Sequence, residues 1–103
     1  MINAVAIEIT KSIYEGKWLS IRYHNKNEEE TYFWCGIKDI DTDKRMILAD
    51  VYNIGREGFK ADFKMYIDSI KQANVVEGTF YGKQEALIEK MKNNVEDFLF
   101  LEL

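Results

Sequence analysis

The sequence predicts an α+β domain in which five antiparallel strands curl into a small, partly closed β-barrel, with one helix before them and one after. Three observations carry this expectation. Apolar residues recur at helical spacing near both ends of the chain, the segments between them alternate with a period of two, and turn residues separate those segments. A chain of 103 residues makes one domain, and at this size folding removes roughly 60 to 70 % of the unfolded surface from water, enough for a core. Short strands on so small a chain are expected to curl, because closure limits exposed edges.

Ile2, Val5, Ala6, Ile9 and Ile13 share one helical face, Asn3 is placed to cap the start and Gly16 to end the helix in a left-handed turn, which predicts a helix over 3–15. Leu19, Ile21 and Tyr23 then alternate with Trp18, Ser20, Arg22 and His24, the pattern of a strand with one buried face. Asn25 to Glu29 is turn chemistry, and the β-formers Thr31 to Ile37 complete a hairpin that sets Cys35 opposite Leu19. Asp41 to Lys44 makes the next turn. Arg45 to Tyr52 is a third strand whose nearly continuous apolar run predicts burial on both faces, and Asn53 to Asp62, with Gly55 and Gly58, reads as a longer loop. Phe63, Met65 and Ile67 mark a fourth strand and Asn74 to Thr79 a short fifth, so that the barrel spans about 17–79. Leu87, Ile88, Met91 and Val95 restore the helical period, predicting a helix over 83–95.

Phe98, Leu99, Phe100, Leu101 and Leu103 make the end of the chain apolar, whereas domain ends are usually polar unless docked. Either this tail packs as a strand or the natural chain continues. The reading favoured is the N-terminal domain of a longer protein, with Trp18, Phe98, Phe100 and Leu101 as contacts to the rest of the chain or to a partner.

Hydrophobic residues at 47 % and charged residues at 31 % exclude a disordered chain. Eighteen acidic against fourteen basic residues give a net charge of −4, which argues against a sequence-independent nucleic-acid coat and leaves only local basic patches open. No apolar run approaches the ~20 residues of a membrane span and no leader is visible, so a soluble, cytoplasmic protein without a membrane partner is expected. Cys35, the single cysteine, makes no internal disulfide, as befits a reducing compartment.

Catalytic sets fail on spacing. Cys35 and His24 are the one thiol and imidazole available, and the hairpin register separates them by on the order of 16 Å. Ser20 and His24 are ~13 Å apart along one strand. Asp39, Asp41 and Asp43 lack the glycine and distant glutamate of a calcium loop, and Gly82-Lys83 is followed by Gln84 where a phosphate loop needs Ser or Thr. No cofactor or metal is expected.

An interaction surface remains. Trp18, Arg22 and His24 share the outer face of the first strand, with Tyr32 and Trp34 across from them. Such a face suits a protein anchor or stacked bases, or is simply covered by a helix. The densest basic set is Lys44, Arg45, Arg56, Lys60 and Lys64. Candidate contacts to nucleic acid or ligand are therefore Arg22, His24, Trp34, Arg45 and Lys64.

The opening helix with Ala6-Ile7, the stretch Leu19-Ser20-Ile21-Arg22-Tyr23, the long second strand and Asp68-Ser69-Ile70 resemble the WYL domains of bacteria, small Sm-like β-barrels usually fused to DNA-acting proteins. Glu15-Gly16-Lys17-Trp18-Leu19, Trp34 to Asp41 and Gly78-Thr79-Phe80-Tyr81 are more specifically similar to the N-terminal region of bacterial superfamily 1 helicase-like proteins. Where the family's Trp-Tyr-Leu signature falls, this chain has Met46-Ile47-Leu48, so the family's nucleic-acid pocket is not carried over. The resemblance implies a non-catalytic accessory or regulatory domain of a DNA-processing protein, with an ATP-dependent helicase as the parent chain. Its expected partners are the rest of that chain and, weakly, single- or double-stranded DNA. The alternative is a stand-alone protein-interaction module or homodimer.

Overall fold

The computed structural model describes residues 4–55 and 58–101. Helix α1 (Ala4–Glu15) turns Ala6, Ile9 and Ile13 inward, the spacing that predicted it. It ends where Gly16 adopts φ 67°, and the N–H of Lys17 reaches back to the carbonyl of Ser12 at 3.0 Å, closing the last turn. Asn3, the expected cap, lies outside the described residues.

Five strands follow in one antiparallel sheet: β1 (Leu19–His24), β2 (Glu30–Asp41), β3 (Met46–Asn53), β4 (Gly58–Tyr66) and β5 (Ile70–Val75), in the order β4-β3-β2-β1-β5. The β1–β2 hairpin has the expected register, with Leu19 opposite Cys35 and His24 opposite Glu30. Its turn is held by the side-chain oxygen of Asn25, which accepts from the N–H groups of Asn27 and Glu29 at 2.9 and 3.0 Å.

The expected barrel is not closed, because β4 and β5 form the two edges of the sheet and do not pair. The sheet is nonetheless far from flat. Tyr66 at the end of β4 pairs with Met46, which pairs in turn with Asp41 of β2, whereas Ile70 at the start of β5 pairs with Tyr23, which pairs with Thr31 of β2. Thr31 and Asp41 are ~33 Å apart along an extended β2, yet only the 3-10 turn Ile67–Ser69 joins Tyr66 to Ile70, a link reaching at most ~14 Å. The sheet must therefore coil, and β2 is irregular where it does so, between Ile37 and Asp39.

Three strands depart from expectation, each for a local reason. The segment Asn53 to Asp62 is mostly strand rather than loop, since β4 begins at Gly58. A bulge around Ala61 and Asp62, the latter at φ 56°, breaks its alternation: Val51 pairs with Lys60 but Ala49 with Phe63. Strand β5 covers 70–75 rather than 74–79. Its buried residues Ile70 and Ala73 are three apart because the register against β1 shifts between Arg22 and Tyr23. Strand β3 is buried on one face only: Ile47, Ala49 and Val51 point inward, while Met46, Leu48 and Asp50 are half-buried and Tyr52 is exposed.

The core lies between the inner face of the sheet and α1, closed at one end by helix α2 (Glu85–Asn93) through Leu87, Ile88 and Met91. Tyr23, Phe33 and Phe63 pack against it, with ring centroids 6.3 and 5.6 Å apart in succession. Helix α2 is shorter than the expected 83–95. The described part of the apolar tail is not a strand but a 3-10 helix (Val95–Leu101) with Phe98 and Leu101 buried, and Leu103 lies outside the described residues. Between β5 and α2 an irregular segment returns across the start of β1, where the N–H groups of Tyr81 and Gly82 both donate to the carbonyl of Gly16, at 2.7 and 3.0 Å.

Candidate interaction groove

The outer face of the sheet carries an aromatic row running across the strands. Ser20 of β1 stands opposite Trp34 of β2, Trp34 opposite Tyr52 of β3, and Tyr52 opposite Phe59 of β4. Registered partners share a face, so the three rings project the same way from adjacent strands. With Trp18 and Ile54 they line an open groove of about 470 Å³, in which Tyr52 is 40 % and Phe59 62 % exposed. Trp18 is fixed by its backbone: its N–H donates to Thr79 Oγ1 at 3.2 Å and its carbonyl accepts from Val76 at 2.9 Å.

One step along the sheet lies a polar ledge. Gly36, paired with Asp50, has no side chain, and the ring of Tyr81 occupies the space a Cβ would need. That ring meets the edge of Trp18 at 5.0 Å and an interplanar angle of 76°, and its hydroxyl donates to Asp50 Oδ2 at 2.8 Å. Lys38 Nζ bridges Asp50 and Asp62, each at 2.9 Å, and the Asp62 N–H donates to Asp50 at 3.3 Å. Burial works against ionised Asp50, but the bonds from Lys38, Tyr81 and the Asp62 N–H outweigh it and hold its carboxyl below the ordinary value. Bonding to both carboxylates raises the Lys38 ammonium, while burial, reinforced by Asp50, pushes the Tyr81 phenol up to about 12.

The residues expected to bind nucleic acid or ligand are distributed over four places. Trp34 lies in the groove, together with Trp18 from the expected partner contacts. Arg22 and His24 lie at the other end of β1, where both face Glu30, His24 Nε2 at 3.0 Å and Arg22 Nη1 at 3.9 Å. The bond to His24, aided by the charge of Arg22, keeps Glu30 below its ordinary value. Arg45 pairs with Asp68 at 3.1 Å and covers the ring of Phe100 at 5.0 Å. Lys64 lies opposite Leu48, in a shallow depression it shares with Lys44, Asp39 and Asp41. Lys60 sits over the Phe63 ring at 5.2 Å, and Arg56 is outside the described residues. The basic set is thus interleaved with acids.

Of the expected partner contacts at the tail, Phe98 and Leu101 are turned into this domain's own core, 4 and 3 % exposed. Burial pushes the Cys35 thiol up to about 12, a poor nucleophile at neutral pH. Tyr52, Ile54, Phe59 and Tyr81 are site residues the sequence reading missed. Gly36 among β-formers was the available signal, since a glycine inside a strand marks the close approach of another group. No family model, curated protein or solved structure matches this chain.

Proposed function

We propose that this is a non-catalytic interaction domain that docks a polypeptide segment through the aromatic groove. The row Trp34, Tyr52 and Phe59 on three adjacent strands, with Tyr52 and Phe59 exposed, carries the reading. Rigid aromatic side chains give large contact area at small entropic cost, and they are enriched where interfaces concentrate their energy. The resemblance to WYL domains and to helicase-like N-terminal regions makes the segment part of the same DNA-processing chain, with the coiled sheet as an open Sm-like barrel and the domain in an accessory or regulatory role.

Electrostatics favour a polypeptide over nucleic acid. Lys38, on the ledge beside the row, is held by two carboxylates, Arg22 at the other end of β1 pairs with Glu30, and the chain carries a net charge of −4. The test is selection of displayed random peptides on the domain, with counter-selection on Tyr52→Ala. Peptides that need Tyr52 and Trp34 are the expected result; failure to recover any groove-dependent peptide overturns the proposal.

A further inference from the structure

Resting on that docking reading, we infer that the groove takes a proline-rich segment in the extended left-handed polyproline conformation, with a basic residue beside it. The dimensions come first. Trp34, Tyr52 and Phe59 stand on three adjacent strands, so their row spans two interstrand steps, ~10 Å. One turn of polyproline helix is three residues and ~9 Å, so one ridge of such a helix matches the length of the row.

Chemistry narrows the choice further. A proline ring offers a flat, apolar surface to an aromatic side chain, and its chain enters already extended, so little conformational entropy is lost on docking. The groove is open and, among the described residues, lined by Trp18, Trp34, Tyr52, Ile54 and Phe59, none of them charged, which suits rings laid along it. The 103 residues contain no proline, so they supply no such segment themselves.

Charge sets the polarity of the partner. Among the described residues, the ledge one step from the row holds Asp50 and Asp62 against one ammonium, Lys38, and the Asp62 side chain is 67 % exposed. Two carboxylates with one cation leave a local excess of negative charge. A lysine or arginine following the prolines reaches Asp62 while the rings stay on the row.

Both tryptophans of the chain, Trp18 and Trp34, line the groove, so intrinsic fluorescence reads its occupancy. The probe is a synthetic peptide of about ten residues with proline at every third position and two arginines at one end. Its controls carry glutamates in place of the arginines, or alanines in place of the prolines, and an oligothymidine of similar length tests stacking of bases. A saturable blue shift is expected with the basic proline peptide, about tenfold weaker with either control peptide. Tyr52→Ala should abolish the shift, and Asp62→Asn should erase the preference for arginine over glutamate while leaving proline dependence intact. Equal affinity for all peptides, a preference for oligothymidine, or no response to the proline peptide overturns the inference. If selection on the domain yields groove-dependent peptides that lack proline, the docking function stands and this assignment of its ligand fails; if it yields none, both fall.

Discussion

The ring of Tyr81 lies directly on Gly36, filling the volume of the missing side chain and carrying a hydroxyl to Asp50 on the neighbouring strand. This contact ties the segment after β5 to the middle of the sheet. Gly36→Ala should force the ring off, at a cost of about 1–3 kcal/mol in urea unfolding. Tyr81→Phe keeps the ring and loses only the hydrogen bond, about 1 kcal/mol. Because Tyr81 also meets the edge of Trp18, the alanine variant should shift tryptophan emission to the red and the phenylalanine variant should not. An alanine variant as stable as wild type would contradict the packing.

Acid should loosen the same ledge. The Asp50 carboxyl is held below its ordinary value in the folded state, so its contribution is fully present above the unfolded value, ~3.9, and is lost as pH falls through the lower folded value. Stability measured by denaturant between pH 6 and pH 3 should fall, and Asp50→Asn should flatten the lower part of that profile. Parallel profiles for the two proteins would show that Asp50 is not the group responsible.

The docked tail gives a contrast between neighbours. Phe98 is buried, whereas Leu99 is 43 % exposed. Phe98→Ala should cost about 3–5 kcal/mol and Leu99→Ser within about 0.5 kcal/mol, read from thermal or denaturant unfolding. Equal effects would mean that the final 3-10 helix is not packed as described.

DNA binding should be weak and dominated by salt. Arg45 is paired with Asp68, and Lys64 shares its depression with Asp39 and Asp41, so little uncompensated positive charge faces a phosphate backbone. Titration of labelled single- and double-stranded oligonucleotides should show binding at low salt at most, lost at physiological salt and on reversal of Arg45 and Lys64. Binding tighter than about 10 µM at physiological salt would overturn this expectation.

Where alternation is regular the sequence sufficed. The inward set Leu19, Ile21 and Cys35 and the register of the first hairpin follow from period two and a single turn. The reading failed where bulges reset the period. Asp62 in a left-handed conformation breaks the alternation of β4 and hides Phe59, one of the three rings of the row, in what the sequence presents as loop. The shift between Arg22 and Tyr23 similarly disguised β5. Trp34 is legible because it faces β1, whereas its partner Tyr52 ends a nearly continuous apolar run that predicts burial on both faces. The scattering of the basic residues among acids was illegible for another reason: ion pairs such as Arg45 with Asp68 join positions that only the folded sheet brings together.

The bond from Tyr81 to the carbonyl of Gly16 has a counterpart in time. A ribosome lays down β1 early, but its second neighbour β5 follows about fifty residues later, and the segment that seals the junction at Gly16 later still. At ~5–20 residues per second, β1 waits several seconds with one edge unpaired. The nascent hairpin of β1 and β2 is then the species open to misassociation, and folding should complete only after the Tyr81 segment has cleared the exit tunnel. Stalling synthesis before and after that point, and probing each nascent chain with protease, should show protection of β1 appearing only in the longer one.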